Sequence, residues 1–207
     1  MPTATHAYVP LDPSAAIWPR FFTVAPLVVI GTQEADRYDF APKHMAMPLG
    51  WENYFGFVCT PRHATYHNAK HYGAFTVSFP RPSQVLHAAL GAAERCDHAG
   101  RKPSLDVLRT VPAEVVEGRF LEDAYLMLEC ELERVVDGFG ANSLIAGRVV
   151  AARVAEDALR GHVVDGHPVD DWTLLRTSPL LAYLAPGRYA EIQGTEAFPH
   201  PGGAREH

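Results

Sequence analysis

The 207-residue sequence has no unbroken apolar run of about 18 residues, the length a membrane-crossing helix needs. Its opening, MPTATHAYVPLDP, has no basic stretch followed by an apolar one, so a soluble cytoplasmic protein is the expectation. Positive charge is not in surplus. The formal net charge of -6 argues against broad nucleic-acid binding, which needs Lys and Arg to neutralise phosphates, and any anion site has to be local. Cysteine is scarce: Cys59, Cys96 and Cys130 are odd in number, far apart and without a CxxC pair, which suits buried thiols in a reducing compartment. GxGxxG and GxxxxGK[ST] are both absent, which removes the usual Rossmann and P-loop nucleotide sites. Ser78 has no G-x-S-x-G elbow around it, so a hydrolase nucleophile has no support.

What remains is a 47% apolar, 20% charged chain of one-domain size, taken as a single domain over 1–207 with its core at about 20–192. Phe21 to Thr32, FFTVAPLVVIGT, reads as a buried strand with a bulge or edge at Pro26, followed by a polar turn QEADRYD. In FAPKHMAMPLGWENYFGFVCT, Pro42, Pro48, Gly50 and Gly56 divide the apolar material into short extended pieces. PRHATYHNAKHYG reads as a short helix with Thr65 as N-cap and Gly73 as its stop. AFTVSF is a strand, PSQVLHAALGAAERC a helix and DHAGRKPS a loop. From Ala124 to Arg134 apolar residues alternate with Glu129, Glu131 and Glu133, which places the acids on a solvated or interface face. Ser143 to Val154 then pairs back across the turn VDGFGAN as an antiparallel hairpin. The tail PHPGGAREH is expected to be mobile. Many strands without βαβ alternation predict a mainly β barrel with short helices outside it.

Several of these phrases, in this order, resemble the flavin reductase-like family: PLVVIGT, APKHMAMPLGW, FGFVCTPRHATYHN, GAFTVSFP, LMLECELERVVDGFG, LIAGRVVAARV and PLLAYLAPGRYAEI. The resemblance implies an FMN-binding split barrel that forms a homodimer, with FMN near the subunit interface. It implies that the isoalloxazine ring lies along Lys43, His44, Met45, Ala46, Met47 and Pro48, and that the phosphate is met by Cys59, Thr60, Thr65 and Asn68. A helix N-terminus offers unpaired N–H groups and partial positive charge, which agrees with a phosphate near Thr65. Arg62 is in place as an ionic partner, and His67 as a contact to the phosphate or ribityl chain. The family's Gly-Asp-His turn, whose His lies near the nicotinamide, is replaced here by Asn142 and Ser143.

Other readings of the same residues stay open. Lys43 and His44 suit donors to the flavin N1 and C2 carbonyl, where charge develops on reduction, or an exposed basic turn. Met45 and Met47 suit a face against the ring or plain core packing. Cys59, beside Phe57 and Val58, reads as an inert buried thiol rather than a reactive one. His63, His67 and His71 recur at i, i+4 and would share a helix face as metal ligands. No acid/base pair stands out. The leading function is NAD(P)H-dependent transfer of hydride to FMN, with a small-molecule acceptor or partner oxygenase downstream. The rivals are an FMN electron carrier or sensor without nicotinamide activity, and a His-based metal protein.

Overall fold

A computed structural model describes residues 7–95, 100, 102–164 and 166–198. The tail expected to be mobile, Cys96 and much of the DHAGRKPS loop lie outside them. In chain order the strands and helices are β1 (Thr23–Pro26), β2 (Val28–Glu34), β3 (Arg37–Lys43), β4 (Ala46–Pro48), β5 (Tyr54–Cys59), α1 (Ala64–Tyr72), β6 (Ala74–Phe79), α2 (Val85–Leu90), β7 (Thr110–Pro112) and β8 (Arg119–Leu121). They continue with β9 (Leu126–Phe139), β10 (Asn142–Val154), β11 (Val163–Val164), β12 (His167–Pro168), α3 (Asp171–Thr177), β13 (Leu180–Ala185) and β14 (Arg188–Ile192).

The main sheet has the order β3-β2-β6-β9-β10-β5-β4, and all its pairings are antiparallel. Its two edge strands, β3 and β4, are consecutive in the chain and joined through His44 and Met45 alone. Three backbone steps span at most about 11 Å, so the sheet must curl until its edges meet. The fold is the mainly β barrel that the strand pattern predicts, in the split form that the family resemblance implies. Long strand material at β9 and β10 forms the expected hairpin, with the turn narrowed to Gly140 and Ala141.

The run FFTVAPLVVIGT is two strands rather than one. β1 pairs with β13 in a separate β1-β13-β14 sheet, and β2 enters the barrel. Pro26 closes β1: it has no N–H to continue a ladder, and the chain changes sheet immediately after it. The polar turn is also shorter than expected, with β2 and β3 paired up to Glu34 and Arg37 around Ala35 at φ 54°.

Val28 and Ile30 point into the barrel with Phe55, Phe57, Phe75, Val77, Cys130 and Ile145, and Tyr66 and Ala69 of α1 join them. Val29 points the other way, onto Phe40, Ala88 of α2 and Leu121 of β8. The start of β2 is therefore covered on both faces, which is why Val28, Val29 and Ile30 are an unbroken apolar run instead of alternating. Opposite Phe75, β10 carries Gly147, where a Cβ would come within 2.6 Å of the aromatic ring.

Glu129 departs from the alternation rule. It is 1% exposed rather than solvated, and its carboxylate accepts backbone N–H bonds from Glu114, Val115 and Val116 at 2.9, 2.6 and 2.9 Å. The loop between β7 and β8 covers this part of β9, and its N–H groups need an acceptor once water is excluded. Glu131 and Glu133 keep the outward side, Glu131 pairing with Arg148 at 2.5 Å.

Candidate functional site

The turn Thr60–His63 closes through the His63 N–H to the Thr60 carbonyl, and α1 begins at Ala64. His63, in extended backbone, holds the N-cap position. Thr65 is thus inside the helix rather than capping it. Its side chain is 1% exposed, and its Oγ1 donates to Asp39 Oδ2 at 3.4 Å, because the inward face of α1 packs over β3. Gly73 ends the helix as expected, at φ 69°.

The first turn of α1 faces a cavity of about 410 Å³ whose wall carries Lys43, Arg62, Arg95 and Lys102. Asp39, 2% exposed, lies beneath them, with Lys102 Nζ 2.8 Å and Arg95 Nη2 3.4 Å from its Oδ1. Lys102 is fixed further by donating to the Gly91 carbonyl at 3.1 Å. Arg95 also forms a two-point pair with Glu34. Burial, then the charges of Lys43 and Lys102, push the His63 imidazole below its ordinary pKa, which keeps it neutral at pH 7. In a chain of net charge -6, this is a local concentration of cations next to a helix N-terminus. Such a wall suits a phosphate ester: the N–H dipoles and the cations act on the anion together.

Two further cavities adjoin the first. One, of about 320 Å³, shares Arg62 and contains Thr60, Asn142 and Ser143. There the Ser143 hydroxyl donates to Asp137 at 2.6 Å and the Tyr66 hydroxyl at 3.0 Å, which ties the β9–β10 turn to α1. These bonds, that from Ser143 foremost, hold the Asp137 carboxyl below the usual range. The other, also about 320 Å³, shares Pro42 and contains His44, whose ring stacks on Tyr183 at 4.5 Å.

The expected site residues therefore separate. Lys43, Arg62 and Thr65 meet in the cationic cavity, Thr60, Asn142 and Ser143 in the second, and His44 in the third. Ala46 is buried in the core, while Met45, Met47 and Pro48 are exposed on the barrel edge, so neither methionine packs inside. Cys59 is buried and burial pushes its thiol up, which disfavours the reactive thiolate. His67 places a ring nitrogen 2.7 Å from the Pro61 carbonyl, and Asn68 donates to Thr32. His63 precedes the helix, and among the described residues no three His, Cys, Asp or Glu side chains gather as a metal site. Asp39, Arg95, Lys102 and Tyr183 were not signalled by any motif. Only Asp39, an acid inside the strand YDFAP, offered a hint that a buried partner was needed.

The sequence profile of the flavin reductase like domain matches residues 21–189. The chain belongs to the flavin reductase-like family. No curated protein sequence matches it. Among solved structures, this flavin reductase-like chain is similar to an FMN-binding protein from Thermus thermophilus, at 23% identity and TM-score 0.69, covering 93% of this chain and 99% of that one. A protein with a split barrel domain from Shewanella frigidimarina is 17% identical at TM-score 0.70, covering 86% of each chain. Nitrilotriacetate monooxygenase component B from Mycobacterium thermoresistibile is 15% identical at TM-score 0.65, covering 86% and 87%. At these identities the likeness establishes the split-barrel fold of a flavin reductase-like domain. No helix of the described residues is long and apolar enough to cross a membrane.

Proposed function

We propose that the chain binds FMN and acts as an NAD(P)H-dependent flavin reductase. The observation that carries this reading is the cationic cavity at the start of α1. Arg62, with the first N–H groups of α1, holds the phosphate there, and Lys102, whose N–H donors already go to Asp39, Phe40 and Gly91, adds only its charge. The segment Lys43 to Pro48 follows the ring, and the Lys43 ammonium offsets negative charge at its N1 side. Thr60, Asn142 and Ser143 line the adjoining cavity on the other side of Arg62, and in this reading that cavity takes the nicotinamide. When bound, FMN supplies hydride acceptance at N5, so the protein needs to position and exclude water rather than supply an acid/base pair.

The exposed Met45, Met47, Phe22 and Val24 around the barrel edge suit burial in a homodimer. The likeness to a monooxygenase component B supports a partner oxygenase as the consumer of reduced flavin. One observation favours a second reading, an FMN electron carrier without nicotinamide activity. The Ser143 hydroxyl is already committed to Asp137, which leaves Asn142 as the side chain at that turn without a hydrogen bond among the described residues.

A visible absorption spectrum of the purified protein, followed by anaerobic addition of NADH and NADPH, tests both. Flavin bands that bleach rapidly with either nucleotide support the reductase. Bands that do not bleach support the carrier, and failure to take up FMN at all rules out both.

A further inference from the structure

The cleft between α2 and the β13–β14 hairpin differs from the other two cavities in its chemistry. Its floor is apolar, from Leu27, Val85 and Ala89, and one wall is the His44–Tyr183 stack, with ring planes 26° apart. Tyr189 lies directly opposite Tyr183 across the β13–β14 ladder, so both rings share one face. The Tyr183 hydroxyl accepts the Gly187 N–H at 3.0 Å, which pins the hairpin turn to the ring that forms the wall.

Arg188 is the only formally charged side chain in this lining. Most arginines of the described chain pair with a carboxylate, as Arg81 does with Asp157 and Arg153 with Glu114. Among the described residues Arg188 has no such partner, and no carboxylate lines the cleft. Burial and the neighbouring Lys43 lower the His44 pKa, so the stacked wall is uncharged at neutral pH. A largely apolar, aromatic-walled cleft with one guanidinium in its lining complements an apolar ring that carries one negative charge. Its volume of about 320 Å³ lies at the lower end for small-molecule sites, which argues for a single ring rather than a dinucleotide.

We propose that this cleft is a binding site for a small aromatic carboxylate, its ring against His44 and Tyr183 and its carboxylate on Arg188. The site adjoins the cationic cavity through Pro42 and Ala92, and it deepens the flavin reading by giving the ligand class held beside FMN. The binding claim stands without that reading.

Calorimetric titration of the full chain with benzoate, and with the neutral isostere benzamide, tests it. Wild type should prefer benzoate, and Arg188→Gln should weaken benzoate about tenfold and leave benzamide unchanged. Arg62→Gln should bind benzoate like wild type. No benzoate binding, or equal binding by wild type and Arg188→Gln, overturns the proposal. So does a loss in Arg62→Gln instead, which would put the acid in the cationic cavity. Loss of benzoate binding under saturating FMN overturns it too, since the flavin ring would then fill the cleft. An FMN titration on the same protein separates the two claims. Benzoate binding without FMN binding sinks the flavin reading alone, and FMN binding without benzoate binding sinks this one alone.

Discussion

Lys102 Nζ lies 2.8 Å from Asp39 Oδ1, joining β3 to the segment after α2 under the floor of the cationic cavity. Asp39 is 2% exposed and Lys102 donates to two backbone carbonyls besides, so the pair is fixed from several sides. Asp39→Asn leaves that ammonium without its counter-charge and should cost about 3 kcal/mol in urea unfolding. Adding Lys102→Met in the same chain should recover part of the loss, because the uncompensated charge then disappears. A double-variant loss equal to the sum of the Asp39→Asn and Lys102→Met losses would show that the pair is not coupled.

Arg62 has no carboxylate partner among the described residues and borders two cavities. Arg62→Gln should therefore weaken FMN binding by about tenfold, the worth of one charge-assisted hydrogen bond, while the melting temperature stays put. Fluorescence titration beside a thermal melt checks both halves. An unchanged affinity would remove Arg62 from the phosphate site.

Glu129 sets a pH dependence. Burial raises its pKa, but the three N–H bonds from the β7–β8 loop and the charge of Arg153 outweigh burial and hold it below its ordinary value of 4.5. With the folded pKa below the unfolded one, the stabilisation is present above about pH 4.5 and fades as pH falls through the folded value. Glu129→Gln should cost about 2 kcal/mol at neutral pH, and the gap from wild type should narrow in acid. A gap independent of pH would mean that the ionised form is not what the loop requires.

Much of this architecture was legible in the sequence because it rests on local rules. AFTVSF is the strand Ala74–Phe79, Gly73 ends α1 in the left-handed region, and the β9–β10 hairpin follows from its alternation. The misreadings occur where tertiary partners override local pattern. Glu129 sits on the polar side of its strand yet is buried, because a loop from 114–116 covers it. Thr65 has the chemistry of a cap, but helix packing turns its hydroxyl onto Asp39. The cationic cavity was legible only in the half that lies near α1. Lys43, Arg62 and Thr65 belong to one stretch of chain, whereas Arg95 and Lys102 arrive from beyond α2, and no spacing rule links them to it.

The account rests on a phosphate held at the N-terminus of α1, and parallel titrations with FMN and riboflavin test that most directly. Both carry the same ring and ribityl chain and differ only in the phosphate. If the cationic cavity holds it, FMN should bind at least about a hundredfold more tightly than riboflavin, and added salt should narrow the difference. Equal affinity for the two flavins would contradict the account, whatever the spectrum of the bound form.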